Sequence, residues 1–330
     1  MQIDNSLINR SNLKIFVRGA YDIQQLRIQM GNRIVGNFKA KLGQKPSEKE
    51  EELEEEPKRL IDELRSRYKK ITDGVKEIPS FKKFVGDEVI SNYTELCLLH
   101  QYIQLEKEET AHFRKLESIL QEYPIYTQYL KEVKGVGPAI AGVIISEIDI
   151  YKAKYPSSLW MYCGLDVAQD GKGRSKKTEH LVQKEYIDKE GNVKTKMSIT
   201  FKPFLKTKLI AVLGGSFLKV GENPYRNIYD NYKNRLENHK DHLEKTKLHR
   251  HNMAIRYMIK QFIVDLYVAW RTLEKLEVAE RYEVAKLGMK PHNLKEPLLI
   301  KETKKKSTKK QKKTKVDKTI KKSKKNKSKK

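Results

Sequence analysis

Residues 135–146, GVGPAIAGVIIS, carry no charge in a chain of which 34% is Asp, Glu, Lys or Arg. So apolar a stretch has to be covered. It falls short of the ~18 residues that a membrane helix needs, as does the other long charge-free stretch, 209–218. Both are expected inside a protein core. The start of the first segment sets its shape. Gly135-Val136-Gly137-Pro138 reads as a tight turn, because glycine reaches backbone conformations closed to other residues and proline suits the first position of a helix. The alanines and glycine that follow allow that helix to pack closely. With the short helix that follows, this reads as a helix-hairpin-helix whose turn can approach a phosphate, or as a tight interhelical turn.

Apolar spacing places further helices on both sides. Residues 1–45 read as one helix with Arg18, Arg27 and Arg33, and 58–76 place Leu60, Ile61, Leu64, Tyr68 and Ile71 at helical intervals. Residues 86–120 read as one or two helices, and Pro124 marks a break or a short helix. After the turn, a second short helix spans 157–164. Residues 182–187 and 193–199 flank Lys189-Glu190-Gly191-Asn192 as a β-hairpin. Residues 204–213 return to helix, and Gly214-Gly215 is expected to end or break it. Beyond Asn223-Pro224 a long helix or a helix pair runs to about Leu276. Its stripe Tyr225, Ile228, Tyr229, Tyr232 and Leu236 has core spacing. The expected fold is mainly α: an elongated helical module over 1–130, a helix-hairpin-helix domain with a small β-hairpin over 131–285, and a disordered basic tail over 286–330.

Charge points to the partner. The 330 residues carry 69 Lys+Arg against 43 Asp+Glu, a net +26. Residues 301–330 hold 17 lysines against Glu302 and Asp317, a net +15, which leaves +11 for the other 300. That tail has too little apolar surface to offset its ordering entropy. It raises affinity for phosphates without reading sequence, or serves solubility. An acidic linker near 46–57 opposes the trend: residues 48–56 hold seven Glu and one Lys. Two cysteines, Cys97 and Cys163, cannot build a disulfide framework or a four-thiolate zinc site. The first residues, MQIDNSLINR, lack a signal-peptide core. A soluble, cytoplasmic, nucleoid-associated protein is expected, with DNA as partner, structured RNA as the alternative, no membrane contact, and homo-oligomers admitted.

Several residues are candidates for phosphate contact. Lys134, Gly135 and Gly137 sit at the turn, where exposed backbone N–H groups at a helix start attract anions. Lys172, Arg174, Lys176 and Lys177 form a glycine-rich basic loop that reads as a flap along a nucleic-acid backbone. Lys233, Arg235, Arg250, Arg256 and Lys260 give the last helical region a basic face. His239, His242, His249 and His251 lie close in sequence without a cysteine, so solvated histidines are favoured over a zinc site.

Three pieces in fixed order resemble a known family. They are Lys134-Gly135-Val136-Gly137-Pro138 with Ala139-Ile140-Ala141; then Leu159-Trp160-Met161-Tyr162-Cys163-Gly164-Leu165; then Phe204 to Leu209, Pro224-Tyr225-Arg226 and residues 251–271 (HNMAIRYMIKQFIVDLYVAWR). Together, over residues 130–275, they are similar to the C-terminal domain of the insertion-sequence 110/116/902 transposases. The resemblance implies DNA transposition by recombination at element ends, with a serine nucleophile in this domain and, in an N-terminal RuvC-like domain, carboxylates for divalent metal. It also makes His251 a phosphate contact. Residues 1–130 here read as helices, so that N-terminal domain is not recognisable. No metal ligands are assigned, and magnesium is expected only if the chain is catalytic. At the family's serine position stand Gln169-Asp170, ahead of Gly171-Lys172, with Ser175 a little further on. Ser175, Asp166 and Asp170 are therefore the candidate catalytic residues. Two other readings stand beside the transposase: a non-catalytic DNA- or RNA-binding module, and a helical scaffold.

Overall fold

A computed structural model describes residues 5–41, 43, 56–75 and 77–280, with side chains from Arg10 and Arg59 onward in the first and third of these segments. The lysine-rich tail and nearly all of the acidic linker lie outside the described residues. All the described residues belong to one compact unit. The fold is mainly helical with a two-stranded antiparallel hairpin. Among the described residues no helix is long and apolar enough to cross a membrane.

The charge-free segment forms α5 (Pro138–Glu147), and all of it from Ile140 onward is buried. Against it lie α1 (Asn5–Lys41) and α3 (Tyr93–Leu120). Gly142 explains how closely: a Cβ there would stand 3.0 Å from Leu116 of α3 and 3.1 Å from Val17 of α1. Its absence lets three helices meet on one line, which is the packing that the small residues foretold. Glu147, at the end of α5, is also buried and is neutralised by Arg18 and Lys14 from α1.

Two cores result. The larger joins Leu13 and Val17 of α1, Leu116 and Leu120 of α3, α5, and the helices that follow; it therefore crosses the boundary expected at residue 130. The smaller lies at the far end of α1, where Ile34 and Phe38 meet Leu64 of α2 (Glu56–Ile71) and Leu96, Leu99 and Tyr102 of α3. The start of α3 falls at Tyr93, not near residue 86. Asn92 accepts from the amide of Glu95 at 3.0 Å, and Asp87 takes the amides of Val89 and Ile90 into a turn.

The remaining elements are α4 (Pro124–Gln128), α6 (Pro156–Tyr162), β1 (Val182–Ile187), β2 (Val193–Ser198), α7 (Pro203–Thr207), α8 (Gly214–Lys219), α9 (Pro224–Asn238) and α10 (Lys247–Leu273). Pro opens α4 through α7 and α9, where its missing N–H costs nothing. The expected break at Gly214-Gly215 is absent. Residues 203–219 run on helically, with a π-helical stretch at Lys208–Leu213 between α7 and α8. The reason is tertiary: a Cβ on Gly214 would lie 2.8 Å from Ile255 of α10, so this glycine makes room for a neighbour. The long C-terminal helix is a pair. Tyr225, Tyr229 and Leu236 of α9 are buried, with Tyr225 stacked on Phe217 at 4.6 Å between centroids.

Candidate functional site

The loop between α6 and β1 holds a dense polar network. Its entry is fixed by Gly164, whose φ of +65° lies in the left-handed region and whose Cβ would strike Phe201 at 2.8 Å. Val167 then bridges to Gly173, and Ala168 and Lys172 close a small turn (N–H to O, 2.8 Å) with Gly171 at φ +73°. This folds residues 166–174 back on themselves and sends Ser175 toward His180.

Two clusters follow. In the first, Arg174 clamps the Asp166 carboxylate through Nε and Nη2, both at 2.9 Å. Arg256 of α10 donates to the Asp166 carbonyl at 3.2 Å and lies flat over Gly173, where a Cβ would be 2.1 Å from the guanidinium. Lys206 of α7 donates to the Arg174 carbonyl. Burial pushes the Lys206 ammonium down to about 8, the nearby Arg256 charge adds to this, and Asp166 opposes it. Three cations therefore share one carboxylate, an arrangement short of negative charge.

In the second cluster the Ser175 hydroxyl lies 2.8 Å from Nδ1 of His180, and the Ser175 amide donates to the same nitrogen at 2.9 Å. An amide can only donate, so Nδ1 carries a lone pair and the neutral ring keeps its proton on Nε2. That N–H faces the Asp170 carboxylate at 3.2 Å. Asp170 also accepts from the amide of Lys172 at 2.9 Å; this bond first, and His180 second, hold its carboxyl below the usual range. His180 itself is 3% exposed. Hydroxyl, imidazole and carboxylate thus stand in line, the order that activation of a serine requires.

Asp170, Glu179 and His180 also bring ligand-type atoms within 4.8 Å of one another. They do not fit a magnesium ion. Magnesium favours an octahedron of oxygens, whereas His180 offers ring nitrogens, of which Nε2, the one aimed at Asp170, holds a proton. No step is therefore assigned to a metal.

Among the expected residues, the loop gathers Asp166, Asp170, Lys172, Arg174, Ser175, Lys176 and Lys177, and α10 brings Arg256 against them. Lys260 follows on the same helix with its ammonium 5.1 Å from the Trp160 ring of α6. The others are held elsewhere. Lys134 reaches the Glu222 carbonyl at 3.3 Å. Gly135 has φ +101° and backs onto Phe217, and its carbonyl accepts from Ser216 at 2.7 Å. Gly137 caps α5 facing open space. Lys233 lies over Tyr229, and Arg235 is exposed on the last turn of α9. Arg250 spends Nη1 on the carbonyls of His242, Leu243 and Lys245, and His251 Nδ1 meets the Tyr229 hydroxyl at 2.6 Å. His180 and Lys206 are additions. A Ser and a His within one glycine-rich loop that also bears an Asp was the available signal for His180; Lys206 comes from another element and had none. Compared with family models, with curated proteins and with solved structures, the chain matches none.

Proposed function

We propose that this protein is a DNA-binding protein of the transposase type, with residues 131–148 forming the hairpin of a helix-hairpin-helix unit. The observation that carries the reading is a convergence. The three family-like segments come from separate stretches of the chain, yet α5, α6 and α10 share one core, and the loop that holds Ser175 leaves α6 and packs against α10. The exposed lysines of that loop, Lys172, Lys176 and Lys177, supply charge for a phosphodiester beside the hydroxyl. In the proposed chemistry the Ser175 oxygen attacks phosphorus and its proton passes to His180 Nδ1. One ester P–O bond breaks, and the departing oxygen takes a proton from solvent. Asp170 holds the ring by its Nε2 proton and does not touch the DNA.

A DNA cleavage and joining assay with alanine at Ser175, Asp166 and Asp170 tests this. Loss of activity in the Ser175 and Asp170 variants is expected, and activity surviving all three changes removes the catalytic proposal. A second reading, a non-catalytic binder, is favoured by one feature: Asp170 stands where the resembled family has its serine. Under that reading the alanine variants bind DNA unchanged, and no covalent adduct forms on Ser175.

A further inference from the structure

The hairpin leaves the Ser175–His180 loop directly, and almost nothing covers it. Every residue of β1 after Val182 is exposed, as is every residue of β2 before Ser198. A two-stranded hairpin with both faces in water is marginal by itself, so a face shaped for a partner is informative. The register sorts the side chains. Lys184 is opposite Lys196, and Tyr186 is opposite Lys194, on one face. The other face carries Glu185 opposite Thr195, and Ile187 opposite Val193.

Two lysines directly opposite each other repel, and strand pairs normally avoid this. Neither strand offers a carboxylate on that face to relieve it. Lys194 turns to Asp188 in the turn (2.7 Å), and Lys196 lies 4.7 Å from the Tyr186 ring centroid. Lys194 is thus paired, but among the described residues no carboxylate pairs with the opposed Lys184 and Lys196, and their charge calls for an anion from outside. We propose that this face is a second DNA contact: Lys184, Lys194 and Lys196 lie on the phosphates of a B-form duplex, and Tyr186 packs against the backbone between them. A two-stranded ribbon fits the B-DNA major groove, whereas the deep, narrow major groove of an A-form RNA helix does not admit it. The inference rests on the DNA-binding reading above and names the element that extends it.

The test uses the full chain, a short labelled DNA duplex and an RNA duplex of the same sequence, with affinity measured across a salt series. The variant K184Q/K194Q/K196Q is compared with I187T/M197T, which alters the other face. Removing three phosphate contacts is expected to weaken DNA binding on the order of 10- to 100-fold at low salt, and to make the log–log salt slope shallower by about 2 to 3. The I187T/M197T variant should bind like the unaltered protein, and the RNA duplex should bind more weakly and respond little to the lysine changes. Equal loss in both variants, an unchanged salt slope in the lysine variant, or equal binding of RNA overturns the ribbon contact while the DNA-binding reading stands. Failure of the unaltered protein to bind the duplex overturns both.

Discussion

Two glycine-bearing turns invite the same interpretation, and they are built in opposite ways. The turn at residues 135–138 is closed from within. Gly135 backs onto Phe217, its carbonyl is taken by Ser216, and Val133 and Val136 are buried beside it. The loop at 166–180 is closed by polar groups. Gly173 admits a guanidinium, not a ring, and Ser175, Asp170 and Lys177 stay at least partly open to solvent. In one place glycine serves packing; in the other it lets charge approach backbone. A glycine pattern alone therefore does not mark a phosphate site. What lies over the missing Cβ decides.

The largest effect that would break this comparison is at Gly135. Gly135→Ala forces a side chain into φ +101° with its Cβ 2.8 Å from Phe217. Backbone strain and overpacking together should cost about 3 kcal/mol or more. Gly137→Ala, two residues on, meets open space and an ordinary φ of −89°, and should change stability by less than ~0.5 kcal/mol. Urea unfolding measures both. Equal losses would show that the turn is not held by its packing. A Gly137 variant that keeps its stability but loses DNA affinity would show that the open side of the turn contacts phosphate.

A smaller, local effect belongs to His180. His180→Ala leaves the Ser175 amide and the Asp170 carboxylate without this shared partner, for about 1–3 kcal/mol. Because the loop lies at the rim of the core, amide exchange over residues 166–181 should quicken far more than over α5. Uniform quickening would mean that the polar loop and the packed turn open together, and that the contrast between them is only geometric.

The helices and the hairpin were legible because their apolar residues repeat at 3.6 or are bounded by turn residues, as in α2 and β1–β2. Gly214-Gly215 was misread because a local tendency to break is overridden by Ile255, a residue far along the chain. The site divides similarly. Ser175, Asp166 and Asp170 enter as candidates through the family resemblance, not through their own spacing. His180 acquires meaning only once the Val167–Gly173 bridge turns the chain, and Lys206 only once α7 packs behind Arg174. Spacing along the chain conveys neither fact.

The smallest and most specific effect concerns the three cations around Asp166, which the hydrophobic turn lacks altogether. Lys206 titrates at about 8 in the folded protein against an ordinary 10.5, burial being the main cause. A lysine depressed in this way binds its proton more weakly when folded than when unfolded. Its charge therefore opposes folding in full below pH 8, and that cost fades as pH rises from about 8 toward 10.5. The stability of the unaltered protein minus that of Lys206→Met should accordingly climb across this window and be flat below it. The gain is modest because the ammonium is half-exposed and already donates to the Arg174 carbonyl. Bound DNA adds negative charge next to the cluster, so saturating duplex should move the window upward, since a phosphate favours the charged lysine. A difference curve that is flat from pH 7 to 11 would mean that Lys206 is not held against its charge. A window that ignores DNA would mean that the cation cluster does not meet the duplex.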